Sequence, residues 1–171
     1  MLFDIFNRKK RIALFVDGPN VIRKDVNINL HDVKRALEKY GEIRVAKMYL
    51  DQYASDKLIE AMANQGYDIV ITTGDVDVTM AIDAVEHVFR KDIDIIALIT
   101  RDTDYRPVLI KAREHGKMTI VIGSEPGFSV ALRNTADVAI MLNSSTENHH
   151  SHHGYRSKNI KKEHKTKTKD I

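Results

Sequence analysis

Four aspartates sit where an apolar run stops or a helical pattern begins, and a fifth lies within that helical pattern. Asp17 closes IALFV and is followed by Gly18-Pro19, a dipeptide that breaks strands and starts turns, with Asn20 three residues on. Asp102 and Asp104 follow the apolar run IDIIALI and Thr100-Arg101, while Asp77 opens a helical pattern and Asp83 comes six residues later. Carboxylates sharing a small space repel one another while ionised, and a cation relieves that repulsion. Hard oxygen donors without Cys or His select Mg2+ or Mn2+. Such an ion polarises a phosphodiester and activates a water for in-line attack, so no side-chain nucleophile is required. Asn20 and Thr100 supply an amide and a hydroxyl to position a carboxylate or a phosphate oxygen.

Each aspartate also has a plainer reading. Asp17 before Gly-Pro can bond its own turn. Asp77, Asp102 and Asp104 occupy positions where helix caps belong, and Asp75 competes with Asp77 for the cap. Asp83 is mid-helix, about 240° round from Asp77, and either supports a metal ligand from behind or pairs with a base. Joint placement, rather than any single residue, points to a metal site.

The elements that must position these groups follow from periodicity. Continuous apolar runs read as buried strands and i, i+3, i+4 spacing as amphipathic helices. Strands are expected over Ile12–Val16, Glu42–Leu50, Tyr67–Thr72, Ile93–Ile99, Met118–Ile122 and Asp137–Leu142. Helices are expected over His31–Tyr40, Ala54–Gln65, Asp75–Arg90, Tyr105–His115 and Phe128–Arg133, with Val21–Leu30 a polar loop. Strict alternation of strands and helices means parallel pairing with right-handed crossovers, hence an α/β fold, a three-layer α/β/α sandwich. In such sheets ligands collect at the carboxyl ends of the strands, where Asp17 and Asp102 fall.

Composition narrows the function classes. The 171 residues contain no Cys, which removes disulfides, thiol catalysis and Cys-based zinc sites and fits a reducing, cytoplasmic setting. No run approaches the ~20 apolar residues a membrane helix needs, and MLFDIF followed by Arg8–Arg11 has the wrong order for a signal peptide. The formal charge of +3 hides an asymmetry: residues 144–171 carry seven Lys/Arg against three Asp/Glu, and the body between the basic ends is mildly acidic. Residues 1–10 read as a basic extension, 11–143 as the folded domain and 144–171 as a disordered His/Lys-rich tail. The basic ends suit nonspecific contact with a polyanion, or simply solubility. His149, His150, His152 and His153 can chelate metal loosely. Tyr49, Tyr53 and Tyr105, near strand ends, are candidates for base stacking or core packing. A dinucleotide fingerprint and a catalytic triad are both missing from the sequence.

FVDGPN, DVDVTMAID and LITRDTDY, in that order and spacing, resemble the NYN domain, in the LabA-like branch of the PIN-like nuclease superfamily. The resemblance spans roughly Arg11 to Leu142. It implies a PIN-like (Rossmann-like) sandwich whose parallel sheet has the order 3-2-1-4-5, and a metal-dependent ribonuclease acting on RNA phosphodiesters. By motif, Asp17, Asp77, Asp102 and Asp104 match the acidic metal-binding set, Asn20 the amide, and Asp83 the later acid. Gly74-Asp75 replaces the family's Lys-Gly, and Arg101 replaces a Gly, where it offers a phosphate contact. These departures make the alternative a catalytically weak or inactive module that binds RNA or protein and regulates. A metal-dependent phosphatase is a third reading, but the Asp-x-Asp expected at the first strand end is missing. A homodimer is compatible with the resemblance, though the sequence marks no surface for it.

Overall fold

A computed structural model describes residues 8–23, 26–125 and 127–142. The residues before 8 and those from 143 on, the His- and Lys-rich tail included, lie outside the described residues. So do the expectations of tail disorder, metal chelation and polyanion contact placed on that tail.

The sheet is built on β1 (Arg11–Asp17), whose residues from Ile12 to Asp17 are all fully buried. Apolar side chains on both faces let a strand be covered by helices above and below, which makes it central. β4 (Glu42–Asp51) pairs parallel to one edge of β1 and β6 (Ile95–Ile99) to the other. β5 (Asp68–Thr72) lies beyond β4, and β7 (Met118–Gly123) and β8 (Val138–Met141) lie beyond β6. The six-stranded order is β5-β4-β1-β6-β7-β8, or 3-2-1-4-5-6 counted along the sheet strands. This is the three-layer α/β sandwich expected, with one more strand at the β8 edge than the implied order.

Two helices cover one face and three cover the other. α2 (Leu30–Leu37) and α3 (Asp56–Asn64) pack with Ile12, Leu14, Met48 and Leu50. α4 (Val76–Val88), α5 (Arg106–Glu114) and α6 (Val130–Thr135) pack with Ala13, Phe15, Ile96 and Leu98. Each fully buried large aliphatic side chain contributes roughly 1.5–3 kcal/mol, so alternate residues of β1 tie both layers to one strand. The strand order reverses at β1, and in sheets of this kind that switch point is where ligands bind, beyond the strand carboxyl ends. Val78 and Ile82 on α4, and Phe89 at its C-cap, remain exposed. Among the described residues no helix is long and apolar enough to cross a membrane.

Some boundaries differ from the sequence expectation. Val21–Leu30 is not one loop. A single helical turn, α1 (Gly18–Val21), leads into a small antiparallel hairpin of β2 (Ile22–Arg23) and β3 (Val26–Asn27). Burial of Val21, Ile28 and Leu30 folds this segment onto the core, and Asn29 caps α2 by accepting from the His31 amide. β6 begins at Ile95 rather than Ile93, and the Asp94 carboxylate just before it accepts from the Arg11 backbone amide at 2.8 Å and Arg11 Nε at 3.0 Å. Asp75, not Asp77, caps α4, and leaves the Asp77 side chain available.

Candidate active site at the strand ends

The site begins with a carboxylate in an unusual place. Asp17 is fully buried, at the last position of the central strand. Gly18 makes the turn after it feasible: a Cβ there would collide with the Tyr49 carbonyl and Leu50 Cδ2. Pro19 then fits the first turn of α1, where a missing N–H costs nothing. This geometry returns Asn20 to Asp17. Asn20 Nδ2 donates to Asp17 Oδ2 at 2.6 Å, and the Asn20 amide donates to Oδ1 at 3.3 Å.

β6 supplies the next group. Buried Thr100 donates from Oγ1 to Asp17 Oδ2 at 2.8 Å and accepts from the Asp102 amide at 3.1 Å. The hydroxyl therefore bridges the ends of β1 and β6 and fixes where Asp102 starts. Asp102 Oδ1 in turn accepts from the Asp104 amide at 2.9 Å, capping the 3-10 turn Thr103–Tyr105. The third strand end contributes Asp77, in the first turn of α4. Tyr105, itself buried, donates its hydroxyl to Asp77 Oδ1 at 2.9 Å, tying α4 to the β6 loop.

The electrostatics record how close these groups are. Burial raises the Asp17 carboxyl above its ordinary value; hydrogen bonds from Asn20 and Thr100 oppose this, and the negative charge of Asp77 adds to it. Burial also raises Asp77, the Tyr105 hydroxyl opposes it, and the charges of Asp102, Asp75 and Asp104 push it further up. Asp17, Asp77, Asp102 and Asp104 thus share one field in which negative charge is under-compensated.

The hydrogen bonds to Asp17 also select an atom. A carboxylate oxygen has two lone pairs. Among the described residues, Oδ2 spends both, on Asn20 and Thr100, whereas Oδ1 receives one long contact and keeps a lone pair. Oδ1 is the donor Asp17 has left to offer.

Among the described residues no three His, Cys, Asp or Glu side chains are grouped as a ready cage for a metal ion. The donor set nevertheless fits Mg2+ or Mn2+. These ions keep several waters and bind through one or two carboxylates, and the raised pKa values of Asp17 and Asp77 are the imbalance such an ion relieves.

Asp83 belongs to a different network. Its Oδ2 accepts from Lys47 Nζ at 2.6 Å and from the Tyr49 hydroxyl at 2.5 Å. His87 Nδ1 lies 2.8 Å from the Asp83 carbonyl, which can only accept, so Nδ1 carries the hydrogen. Burial acts to raise the Asp83 pKa, but the Lys47 and Tyr49 hydrogen bonds and the Lys47 and His87 charges outweigh it, and the net direction is downward. Pairing with a base is the role the geometry gives Asp83, and the carboxylate locks α4 to β4.

Tyr49 and Tyr105 are core residues and do not stack on bases; Tyr53, 83% exposed, is the one of the three open to that role. Sequence reasoning misses Lys47 and the Tyr105–Asp77 bond as parts of the site's support. Their signal is faint: Lys47 is the polar position of an alternating strand, and Tyr105 follows the third motif directly.

Residues 11–143 match the family model described as NYN domain. The chain is 55% identical over 132 residues to an uncharacterized protein of Methanocaldococcus jannaschii, an alignment covering 77% of this chain and 55% of that protein. The chain therefore spans about half the length of that curated relative. A crystal structure of a Vibrio parahaemolyticus protein of unknown function superposes with a TM-score of 0.69 at 21% identity, covering 80% of this chain and 94% of that one. This last likeness is one of fold.

Proposed function

This chain belongs to the NYN domain family, and we propose that it is a Mg2+- or Mn2+-dependent ribonuclease that hydrolyses RNA phosphodiester bonds at the strand-end aspartates. The observation that carries the reading is Asp17, a wholly buried carboxylate with a raised pKa, held by Asn20 and Thr100 beside three more aspartates. A protein gains nothing in stability from that arrangement, since burying uncompensated charge costs free energy.

When bound, the ion would supply Lewis acidity toward the phosphodiester and make a bound water more acidic than bulk water. The chain's own groups have separate tasks. Asp17 presents Oδ1, while Asn20 and Thr100 keep the carboxylate from rotating. Asp77, Asp102 and Asp104 would supply the remaining negative charge that holds the ion. Tyr105 fixes the Asp77 side chain and closes the floor of the site to bulk water.

The test is cleavage of labelled RNA by the purified protein, with EDTA and the Asp17→Asn variant alongside. Cleavage that stops in EDTA and falls by at least ~100-fold in the folded variant is expected, the scale on which positioned catalytic groups act. Cleavage at the wild-type rate by Asp17→Asn removes the assignment.

A second reading, RNA or protein binding without turnover, is favoured by Gly74-Asp75 and Arg101 and by the lack of a ready three-ligand cage among the described residues. It predicts RNA retained by the protein and recovered intact after incubation with Mn2+.

A further inference from the structure

The two flanks of the aspartate cluster differ in charge. On the β4–β5 side the strand ends and helix starts carry Asp51, Asp56 and Asp75, against Lys57. On the β6–β7 side Arg101 follows the end of β6 and Arg133 lies in the short helix α6 with its guanidinium 3.6 Å from Glu125, the acid of the β7–α6 loop. The arginines frame the loop between β7 and α6. A Cβ built on Gly127, which has φ of +98°, would stand 3.2 Å from Arg101 Nη1, so the guanidinium lies directly against the glycine backbone. A positive φ strains any L side chain, and here the missing side chain is also the space the guanidinium uses. Arg133 packs its guanidinium 5.9 Å from the centre of the Phe128 ring. The Thr103 and Ser129 hydroxyls meet at 3.1 Å on the surface, joining the turn after β6 to the start of α6.

We propose that an RNA strand engaged at the aspartates runs across the β6–β7 side, with its phosphates on Arg101, Arg133 and the Thr103–Ser129 hydroxyl pair. This rests on the ribonuclease or RNA-binding reading of the site. Three physical facts support the direction. A polyanion is repelled by the acidic β4–β5 flank and attracted by the opposite one. Guanidinium groups donate to phosphate oxygens in a fork that fits them. Arg101 immediately precedes Asp102, so the first phosphate contact is anchored on the same loop as the cluster. Arg133 is placed one loop further out, as a second contact along the strand requires.

The test is binding of a labelled single-stranded RNA to the full chain, followed by fluorescence anisotropy in EDTA so that turnover plays no part. Affinity is measured over a range of salt for wild type, Arg101→Gln, Arg133→Gln and Lys57→Gln. Each lost phosphate contact lowers the slope of log affinity against log salt by about 0.7 on a single strand. Both arginine variants are expected to bind several-fold more weakly with that smaller slope, and Lys57→Gln to match wild type. Contributions from the basic tail cancel, since every variant carries it. Arg133 is exposed, so its variant decides the matter even where Arg101→Gln disturbs the Gly127 loop. Wild-type affinity and slope in Arg133→Gln, or an equal loss in Lys57→Gln, overturns the track. RNA bound through the arginines but never cut keeps the track and removes the ribonuclease. RNA cut normally with affinity unchanged in the arginine variants does the reverse.

Discussion

Replacing Asp17 by Asn separates the cost of the site from its use. Asp17 is fully buried, and that burial raises its pKa above the ordinary carboxylate value. A folded-state pKa above the unfolded value means the folded state binds more protons between the two values. Stability therefore falls as pH rises from the unfolded pKa of about 3.9 and levels off above the folded one, each tenfold weakening of the acid on folding costing about 1.4 kcal/mol. Asn at this position removes that pH dependence. It also costs something: if its oxygen takes the place of Oδ2 and keeps the bonds from Asn20 and Thr100, its NH2 faces the Asn20 amide, 3.3 Å from Oδ1 in the wild type. Donor facing donor costs about 1–3 kcal/mol. The two effects oppose, and the relief from removing the buried charge fades as Asp17 takes up its proton, so the variant's Tm deficit against the wild type is larger at pH 4 than at pH 7. Metal reveals the difference. At an Mn2+ concentration 100 times Kd, binding adds about 2.7 kcal/mol, and for a domain of this size that is roughly 8 °C in Tm. Differential scanning fluorimetry with and without Mn2+ reads this directly: the wild type gains, and Asp17→Asn does not. An equal gain in both proteins would refute the argument that Asp17 Oδ1 is a metal donor.

Three other perturbations follow from the same contacts. Asp83→Asn leaves Lys47 without its charge partner and costs about 1–3 kcal/mol in urea unfolding at pH 7. Because the folded-state pKa of Asp83 is lowered, its contribution is present above the unfolded value and fades as pH falls through the folded one; the gap between wild type and variant narrows at pH 3. Gly18→Ala forces a Cβ against the Tyr49 carbonyl and Leu50 Cδ2, and overpacking of this kind costs about 1–3 kcal/mol, read as a lower urea midpoint and weaker Mn2+ binding because Asn20 shifts with the turn. Tyr105→Phe removes the bond to Asp77, and a net loss near 1 kcal/mol in stability with a larger relative loss of RNA cleavage is expected; equal losses in both would make the hydroxyl purely structural.

How legible the molecule is depends on where information sits in the chain. β1 is readable because a strand buried on both faces is a continuous apolar run, and its end at Asp17 is marked by Gly-Pro. The parallel sheet follows from alternation alone, since crossover connections leave few topologies. Val21–Leu30 passes for a loop because a two-residue hairpin has too short a period to register, and its burial depends on Val21, Ile28 and Leu30 finding a surface that only the folded sheet provides. The aspartates are legible as a set at strand ends. Their division of labour is not, because Asp83 and Asp77 share one helix and differ only in what faces them: Lys47 and Tyr49 from β4 for one, Tyr105 for the other.

That division bears on how the cluster is held together. Two kinds of pinning meet at α4. Near its start, Asp77 is tied to the β6 loop by a neutral hydroxyl; two turns on, Asp83 is tied to β4 by an ammonium, a hydroxyl and an imidazole. A neutral tie leaves the Asp77 charge intact, and the Asp77 pKa stays raised, whereas the cationic tie neutralises Asp83 and lowers it. The same helix thus carries one acid whose charge is consumed in fixing the helix and one whose charge is kept for the site. Exchanging the ties would exchange the roles. A Tyr105→Lys substitution places a cation beside Asp77, so it should stabilise the metal-free protein relative to Tyr105→Phe and weaken Mn2+ binding at the same time. Calorimetric titration of Mn2+ into both variants tests this, and tighter binding by Tyr105→Lys would show that uncompensated charge at Asp77 is not what draws the ion.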